Sequence, residues 1–399
     1  MLLLFSIYFN LLLSYAVGLI PFRYNFRHRQ FKRCPPLVPL STVLILAFAG
    51  IQYKTGRLPE HMKIPKVGMQ DIIHAVENFV LNGNCVLIAV QQLLFLETYR
   101  RLLNEWLENA PSWSRRLQSS RDWFKQVEVF LQLVLLPCTI YLLHVLVYLV
   151  LIGWSGVNVL LAALFMVSLV PNTAHVNNFY ALLFVQRLTL GEINDQLTSL
   201  WATICIRRNA MPAGAPPLRL PGFHRPLQSH LADYQQCAGT VHNILRFYSL
   251  PFFYQFTHFY TLSQGNPSPP ELEVLGTALI VVYGLGTAQL ISNCSGIAEQ
   301  SEKIKSSVHR LSLIPGQDKY FQRTVETFLL SLNHSMLKID IAGLFIMDFE
   351  LLTGLRVDNG WTFRLLISTD QAAVTDDWRW PVGPTSTCRI SIVWLRLLR

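Results

Sequence analysis

Seven predominantly apolar runs punctuate the chain: Leu2–Ile20, Leu37–Tyr53, Ile72–Leu96, Val129–Ile152, Val157–Val185, Thr240–Leu262 and Leu272–Asn293. All but the third stand out clearly by window hydropathy, and each is near the roughly 20 residues that a helix needs to cross a bilayer. The rest of the composition agrees. Only 14% of residues are charged, 51% are apolar and the mean hydropathy is +0.33, whereas a soluble chain carries about 25% charge to cover its surface. A polytopic membrane protein is therefore expected, and its length leaves room for about six to eight crossings.

The net charge of +9 does not mark a nucleic-acid footprint, which needs clustered Lys and Arg on a water-soluble domain. It is distributed by sidedness instead. Segments 21–36, 97–128, 187–239 and 299–340 carry 5, 6, 5 and 6 Lys/Arg, while the connections 153–156 and 263–271 carry none. By the positive-inside rule the four basic segments are cytoplasmic, with only 54–71 (Lys54, Arg57, Lys63, Lys66) breaking the alternation.

The first run is not a good signal peptide, because its basic cluster (Arg23, Arg27, Arg29, Lys32, Arg33) follows the apolar stretch rather than preceding it. Whether it spans or lies in the interface, the sidedness downstream is unchanged. Residues 97–128 and 296–340 alternate apolar and charged positions at helical spacing, which predicts spans continuing as amphipathic cytoplasmic helices. Five prolines and two glycines in 209–226 predict an irregular connection. No internal repeat is found.

Catalytic signatures are missing: there is no H-E-x-x-H, G-x-S-x-G or G-x-x-x-x-G-K-[ST]. The seven cysteines are scattered singly and read as small buried hydrophobes, not as a disulfide or zinc framework. No enzyme activity, cofactor or metal is expected. Gly284, Ala288 and Ser292, four residues apart, read as a small-residue face for close helix packing. Asn293-Cys294-Ser295 and Asn333-His334-Ser335 fit the glycosylation pattern but fall on the predicted cytoplasmic side, so they are read as chance matches.

Ionisable residues within spans carry more information, since each is costly unless it faces a cavity or a partner. His74, Glu77, His144, Arg246 and His258 are of this kind. Arg246 lies about two turns from the cytoplasmic end and can snorkel to the interface. His144 shares a helical stripe with Tyr141 and Tyr148, and Tyr254 shares one with His258 in a run rich in Phe and Tyr. Converging aromatic and polar-tipped side chains suit a pocket for a small organic ligand. Helix packing with an interfacial aromatic belt is the competing reading.

Five blocks, in order, resemble insect gustatory receptors. These are Tyr15–Phe31 (YAVGLIPFRYNFRHRQF), Asn177–Leu197, His230–Leu262, Cys294–Leu311 and, most specifically, Phe328–Gly354 (FLLSLNHSMLKIDIAGLFIMDFELLTG). The last is similar to the family's G-L-F-x-x-D-x-x-L-L run, here Gly343, Leu344, Phe345, Asp348, Leu351 and Leu352. The resemblance implies an all-α transmembrane bundle of the insect chemoreceptor type with a cytoplasmic amino end. It implies an interfacial amino-terminal segment 1–36, spans and their extensions over 37–295, and cytoplasmic anchor helices over 296–354. It further implies a multi-pass plasma-membrane protein of sensory neurons, a cation channel opened by a small-molecule tastant and embedded in the lipid bilayer. The assembly implied is a homo- or hetero-tetramer with other gustatory receptor subunits, with no nucleic acid partner.

The sequence departs from the family after Gly354. The implied pore-lining helix, with its Thr-Tyr and Gln-Phe pairs, is absent from 355–399, where six Arg and four Asp leave no uncharged stretch of spanning length. A mis-spliced or truncated form that does not conduct alone is the expectation. Two other classes compete: a G-protein-coupled receptor with the amino end outside, and a membrane transporter. The proline cluster Asn266-Pro267-Ser268-Pro269-Pro270 has no Tyr to complete an N-P-x-x-Y motif, and no paired buried charges suggest a transporter.

Overall fold

The computed structural model describes residues 2–25, 27–28, 30–55, 83–116, 123–209, 221–263, 270–314, 319–334, 337–341 and 345–347. All fall within one compact unit, Met1–Leu366. The tail 355–399 and the third run's first residues, including His74 and Glu77, lie outside the described residues.

Helix α1 (Leu2–Ala16) is amphipathic in the sense opposite to that of a water-soluble helix. Ser6, Asn10 and Ser14, at spacing four, are buried together with Leu3, Ile7 and Leu11, while Phe5, Tyr8, Leu12 and Tyr15 face outward. Leu12 is 70% exposed and Asn10 is 0% exposed. Hydrocarbon accepts the apolar face, and protein partners must satisfy the polar stripe.

The chain then turns at Gly18, whose φ of 79° strains any L side chain and where an added Cβ would stand a tight 3.1 Å from the Ser41 carbonyl oxygen. The basic segment forms an antiparallel hairpin, β1 (Phe22–Asn25) and β2 (Gln30–Arg33), with Phe22 opposite Arg33 and Asn25 opposite Gln30. Phe22 and Phe31 are buried on one face and the paired Arg23 and Lys32 stay exposed on the other, while Arg33 reaches solvent at the end of its strand. The Asn104 side chain extends the ladder, accepting from Phe31 N–H at 2.6 Å and donating to its carbonyl at 3.1 Å.

Helices α2 (Leu37–Thr55) and α3 (Gly83–Leu94) are apolar. A break at Phe95 leads into α4 (Leu96–Arg116), which buries Tyr99, Leu102, Leu103, Trp106 and Leu107 at helical spacing. The predicted run Val129–Ile152 is not one regular helix. It comprises the end of α5 (Trp123–Phe130), a π-helical turn at Leu131–Leu135, and α6 (Leu136–Ile152). Pro137, early in α6, has no N–H to continue the ordinary ladder.

Helix α7 (Gly156–Asn209) is the axis of the bundle. Its 54 residues extend about 81 Å at 1.5 Å per residue, against a hydrocarbon core of about 30 Å. Between Ser168 and Gln186 every residue except Val176 is buried, because α1, α2, α6, α8 and α9 pack around it. Helices α8 (Pro221–Ser263) and α9 (Pro270–Ser312) are nearly as long, and α10 (Lys319–His334) packs against both. A short hairpin follows, β3 (Asp340–Ile341) with β4 (Phe345–Ile346).

Among the described residues three stretches, Trp123–Val147, Gly156–Asn209 and Val274–Ser312, are long and apolar enough to cross a membrane. Helices α7, α8 and α9, at 54, 43 and 43 residues, are each longer than a bilayer crossing needs. Two boundaries need correction. The irregular connection expected over 209–226 ends by Pro221, which opens α8 at a helical first turn where its missing N–H costs nothing. Within the expected anchor segment the described helix α10 ends at His334, and the paired strands β3 and β4 follow it.

Candidate ligand-binding and coupling site

Three helices meet around the sequence-predicted stripe on α6. His144 is anchored on its own helix, with Nδ1 2.8 Å from the Ile140 carbonyl, and its ring meets Tyr283 of α9 edge-on at 6.0 Å. Tyr141, one turn earlier, packs against Met166 and Leu169 of α7, with its hydroxyl buried beside Thr173. The stripe therefore gathers imidazole, two phenols and a thioether at the junction of α6, α7 and α9. Tyr148 continues it on the α6 backbone, but its side chain lies outside the description, as do those of Tyr254 and His258 on α8.

Nearer the carboxyl end of α7 lies a second, fully buried layer. His175 sits 4.6 Å from the Tyr248 ring and 6.0 Å from Phe247, and Phe179 stacks on Tyr248 at 5.6 Å. Tyr99 of α4 stacks on Phe247 at 4.8 Å and meets Phe22 of the hairpin at 5.8 Å. One aromatic layer thus joins α4, α7, α8 and β1. The His175 Nε2 has no hydrogen-bond partner among the described residues.

Buried amides complete the interior. Asn10 donates to Asn178 Oδ1 at 2.7 Å, Asn178 donates to Ser14 Oγ at 3.0 Å, and Asn84 donates to Asn172 Oδ1 at 2.8 Å. Gln92 donates to the Leu19 carbonyl at 2.8 Å. These bonds fasten α1 and α3 to the axial helix, and α3 to the turn after α1. Sequence reasoning missed His175 and these asparagines; the signal was the polar run Asn172, Thr173, His175, Asn177 and Asn178 inside an otherwise apolar span.

Further polar contacts tie the helices together near the ends of the apolar runs. Arg187 stands 3.7 Å from Glu128, and the Tyr180 hydroxyl donates to the same carboxylate at 3.4 Å, tying α7 to α5. Thr240 donates to Glu105 at 3.0 Å between α8 and α4. The hydrogen bond from Arg100 holds the Glu97 carboxyl below its ordinary range, and burial pushes the Tyr99 phenol up. Arg246, where snorkelling was expected, lies exposed with its guanidinium 5.1 Å over the Phe95 ring.

The remaining sequence-predicted positions distribute as follows. Gly284, Ala288 and Ser292 are half-buried along α9; on that helix an added Cβ at Gly286 would meet Leu136 at an ordinary 3.8 Å, whereas one at Gly296 would clash with Arg187. Phe345 opens β4 with its side chain outside the description, and Gly343, Leu344, Asp348, Leu351 and Leu352 lie outside the described residues. No group of three or more His, Cys, Asp or Glu gathers to hold a metal among the described residues. The cysteines described, Cys34, Cys85, Cys138, Cys205, Cys237 and Cys294, are all free.

A family model described as 7tm chemosensory receptor matches residues 7–355. The chain belongs to the 7tm chemosensory receptor family. This chemosensory receptor is accordingly a receptor and not an enzyme. Its fold is that of the insect olfactory receptor OR5 from Machilis hrabei, with a TM-score of 0.62 at 12% identity over 86% of this chain and 92% of that one. The same receptor in complex with eugenol matches with a TM-score of 0.57 at 13% identity, over 88% of this chain and 93% of that one. No curated protein matches the sequence. The family and the fold together disfavour the G-protein-coupled and transporter alternatives.

Proposed function

We propose that this chemosensory receptor is a gustatory receptor subunit, a tastant-gated cation channel of the sensory-neuron plasma membrane that works as a homo- or hetero-tetramer. The observation that carries the reading is the chemosensory family match over residues 7–355. The gustatory-type blocks, Phe328–Gly354 above all, supply the finer assignment. A small organic ligand fits the aromatic and imidazole groups at the α6–α7–α9 junction, and the olfactory receptor of the same fold has been solved with the small molecule eugenol. Ligand binding opens such a channel only through a difference in affinity between closed and open states. Tyr141, His144 and Tyr148, with Tyr254 and His258, are the proposed contacts.

The family match stops at residue 355, where the composition also changes. This supports the reading that 355–399 stands in place of the pore-lining helix and that this form does not conduct alone. Two experiments separate these claims. Sequencing the transcript downstream of Gly354 should reveal an alternative exon encoding an uncharged helix with Thr-Tyr and Gln-Phe pairs, and finding none would remove the splicing reading. A chain carrying that helix, co-expressed with a gustatory partner, should give tastant-evoked cation currents. Responses that appear only through G-protein signalling would overturn the channel assignment.

A further inference from the structure

Where α8 passes α10, an open groove of about 550 Å³ lies outside the ligand-binding region, within the range of about 300–1,000 Å³ usual for small-ligand sites. His242 contributes from α8, His334 from the last turn of α10, and Lys338 from the segment before β3. Gln235 and Ser331 form its far end, and the Gln235 amide donates to the Ser331 hydroxyl at 3.3 Å, joining the two walls. No carboxylate is among the described lining residues. The Lys338 ammonium, with two imidazoles and amide and hydroxyl groups beside it, presents positive charge and hydrogen-bond donors to the groove.

The position of the groove gives a second, independent indication. Its α8 wall runs from Gln235 to Leu245 and so straddles Thr240, where the apolar run of that helix begins. The basic loops place this level at the cytoplasmic face. The charged end thus sits at headgroup depth, and Leu245 lies at the end nearer the hydrocarbon.

We propose that this groove binds a phosphate-bearing anion at the inner membrane surface, with His242, His334 and Lys338 as the phosphate contacts and Leu245 beside the acyl side if the anion is a lipid headgroup. Basic pockets beside membrane helices on the cytoplasmic side suit such headgroups. Two histidines could also suggest a metal, but the Lys338 ammonium shares the lining and repels a cation.

The test uses the full chain in nanodiscs of phosphatidylcholine, with fluorescent phosphatidylinositol bisphosphate as one probe and soluble inositol trisphosphate as the other. The combined variant His242→Gln, His334→Gln and Lys338→Gln should weaken binding by about tenfold or more, with an unchanged melting temperature because all three side chains are exposed. Wild-type binding of the lipid alone identifies a headgroup as the source, and binding of both probes or of the soluble one alone identifies the phosphate group itself. Absence of binding by either probe, or equal binding by the variant, overturns the proposal.

Discussion

Asn10 in the first helix donates a 2.7 Å hydrogen bond to Asn178 at the centre of the axial helix, across 168 residues of sequence. Ser14 is bonded to the same amide, so a single side chain on α7 satisfies two residues of the inward polar stripe of α1. Substituting Asn178→Leu should lower stability by about 1–2 kcal/mol, since interhelical hydrogen bonds are modest but a buried unpaired amide is costly. Adding Asn10→Leu and Ser14→Ala should restore part of the loss. Thermal unfolding in detergent reads both, and an additive further loss in the triple variant would contradict the network.

Gly296 is the close-approach point between α9 and α7. A Cβ there would stand 2.6 Å from the Arg187 Cζ, so Gly296→Ala should displace the flexible guanidinium from Glu128, at a cost of about 1 kcal/mol. The combination with Arg187→Ala should be clearly less destabilising than the sum of the two single changes. Additivity within error in the melting temperatures would show that the two residues do not clash.

His144 and Tyr283 bridge α6 and α9 with an edge-on ring contact, an interaction of about 0.5–1.5 kcal/mol. In a channel carrying an uncharged last helix, His144→Ala or Tyr283→Ala should shift the half-maximal tastant concentration by about three- to tenfold. Tyr254→Ala and His258→Ala should shift it in the same assay. Dose–response curves unchanged in all four would remove these residues from the ligand pathway.

His175 is buried among Phe179, Phe247 and Tyr248 with an unpartnered Nε2. If packing alone sets its role, His175→Phe should be neutral or stabilising by about 1 kcal/mol, because an unpaired buried polar atom is removed. A loss of ligand response without loss of stability would instead identify the imidazole as a coupling element.

His230 gives a pH dependence outside the spans. Burial lowers its pKa, and the nearby Asp233 carboxylate opposes that shift only in part. The unfolded chain therefore takes up its proton first as pH falls below the ordinary histidine value of about 6.5, and stability declines through that window. In His230→Gln this part of the acid sensitivity should disappear. Identical slopes of melting temperature against pH between pH 7 and pH 5 in both proteins would exclude the effect.

The helical class and the membrane character were legible because lipid imposes a long apolar signature on each helix and leaves charge in the loops. The stripe of Tyr141 and His144 was legible for the same reason, as polar tips within an apolar run. Its partner Tyr283 was not, since nothing local relates residue 144 to residue 283. The hairpin at 22–33 was hidden behind its charge: a basic segment reads as a loop until Asn104, over seventy residues later, is seen to hold its edge.

The sequence by itself determined that this chain lives in a bilayer, which end of each helix carries the basic charge, and which receptor family it resembles. These properties follow from transfer free energies and local spacing, which each segment carries alone. The tertiary structure decided which face of each helix turns inward. It made α7 the axis, set the asparagine stripe of α1 against it, and joined His175 to Tyr99 and Phe247 in one aromatic layer. In lipid, apolar burial scarcely distinguishes protein from solvent, so the orientation of α1 rests on hydrogen bonds between residues far apart in sequence.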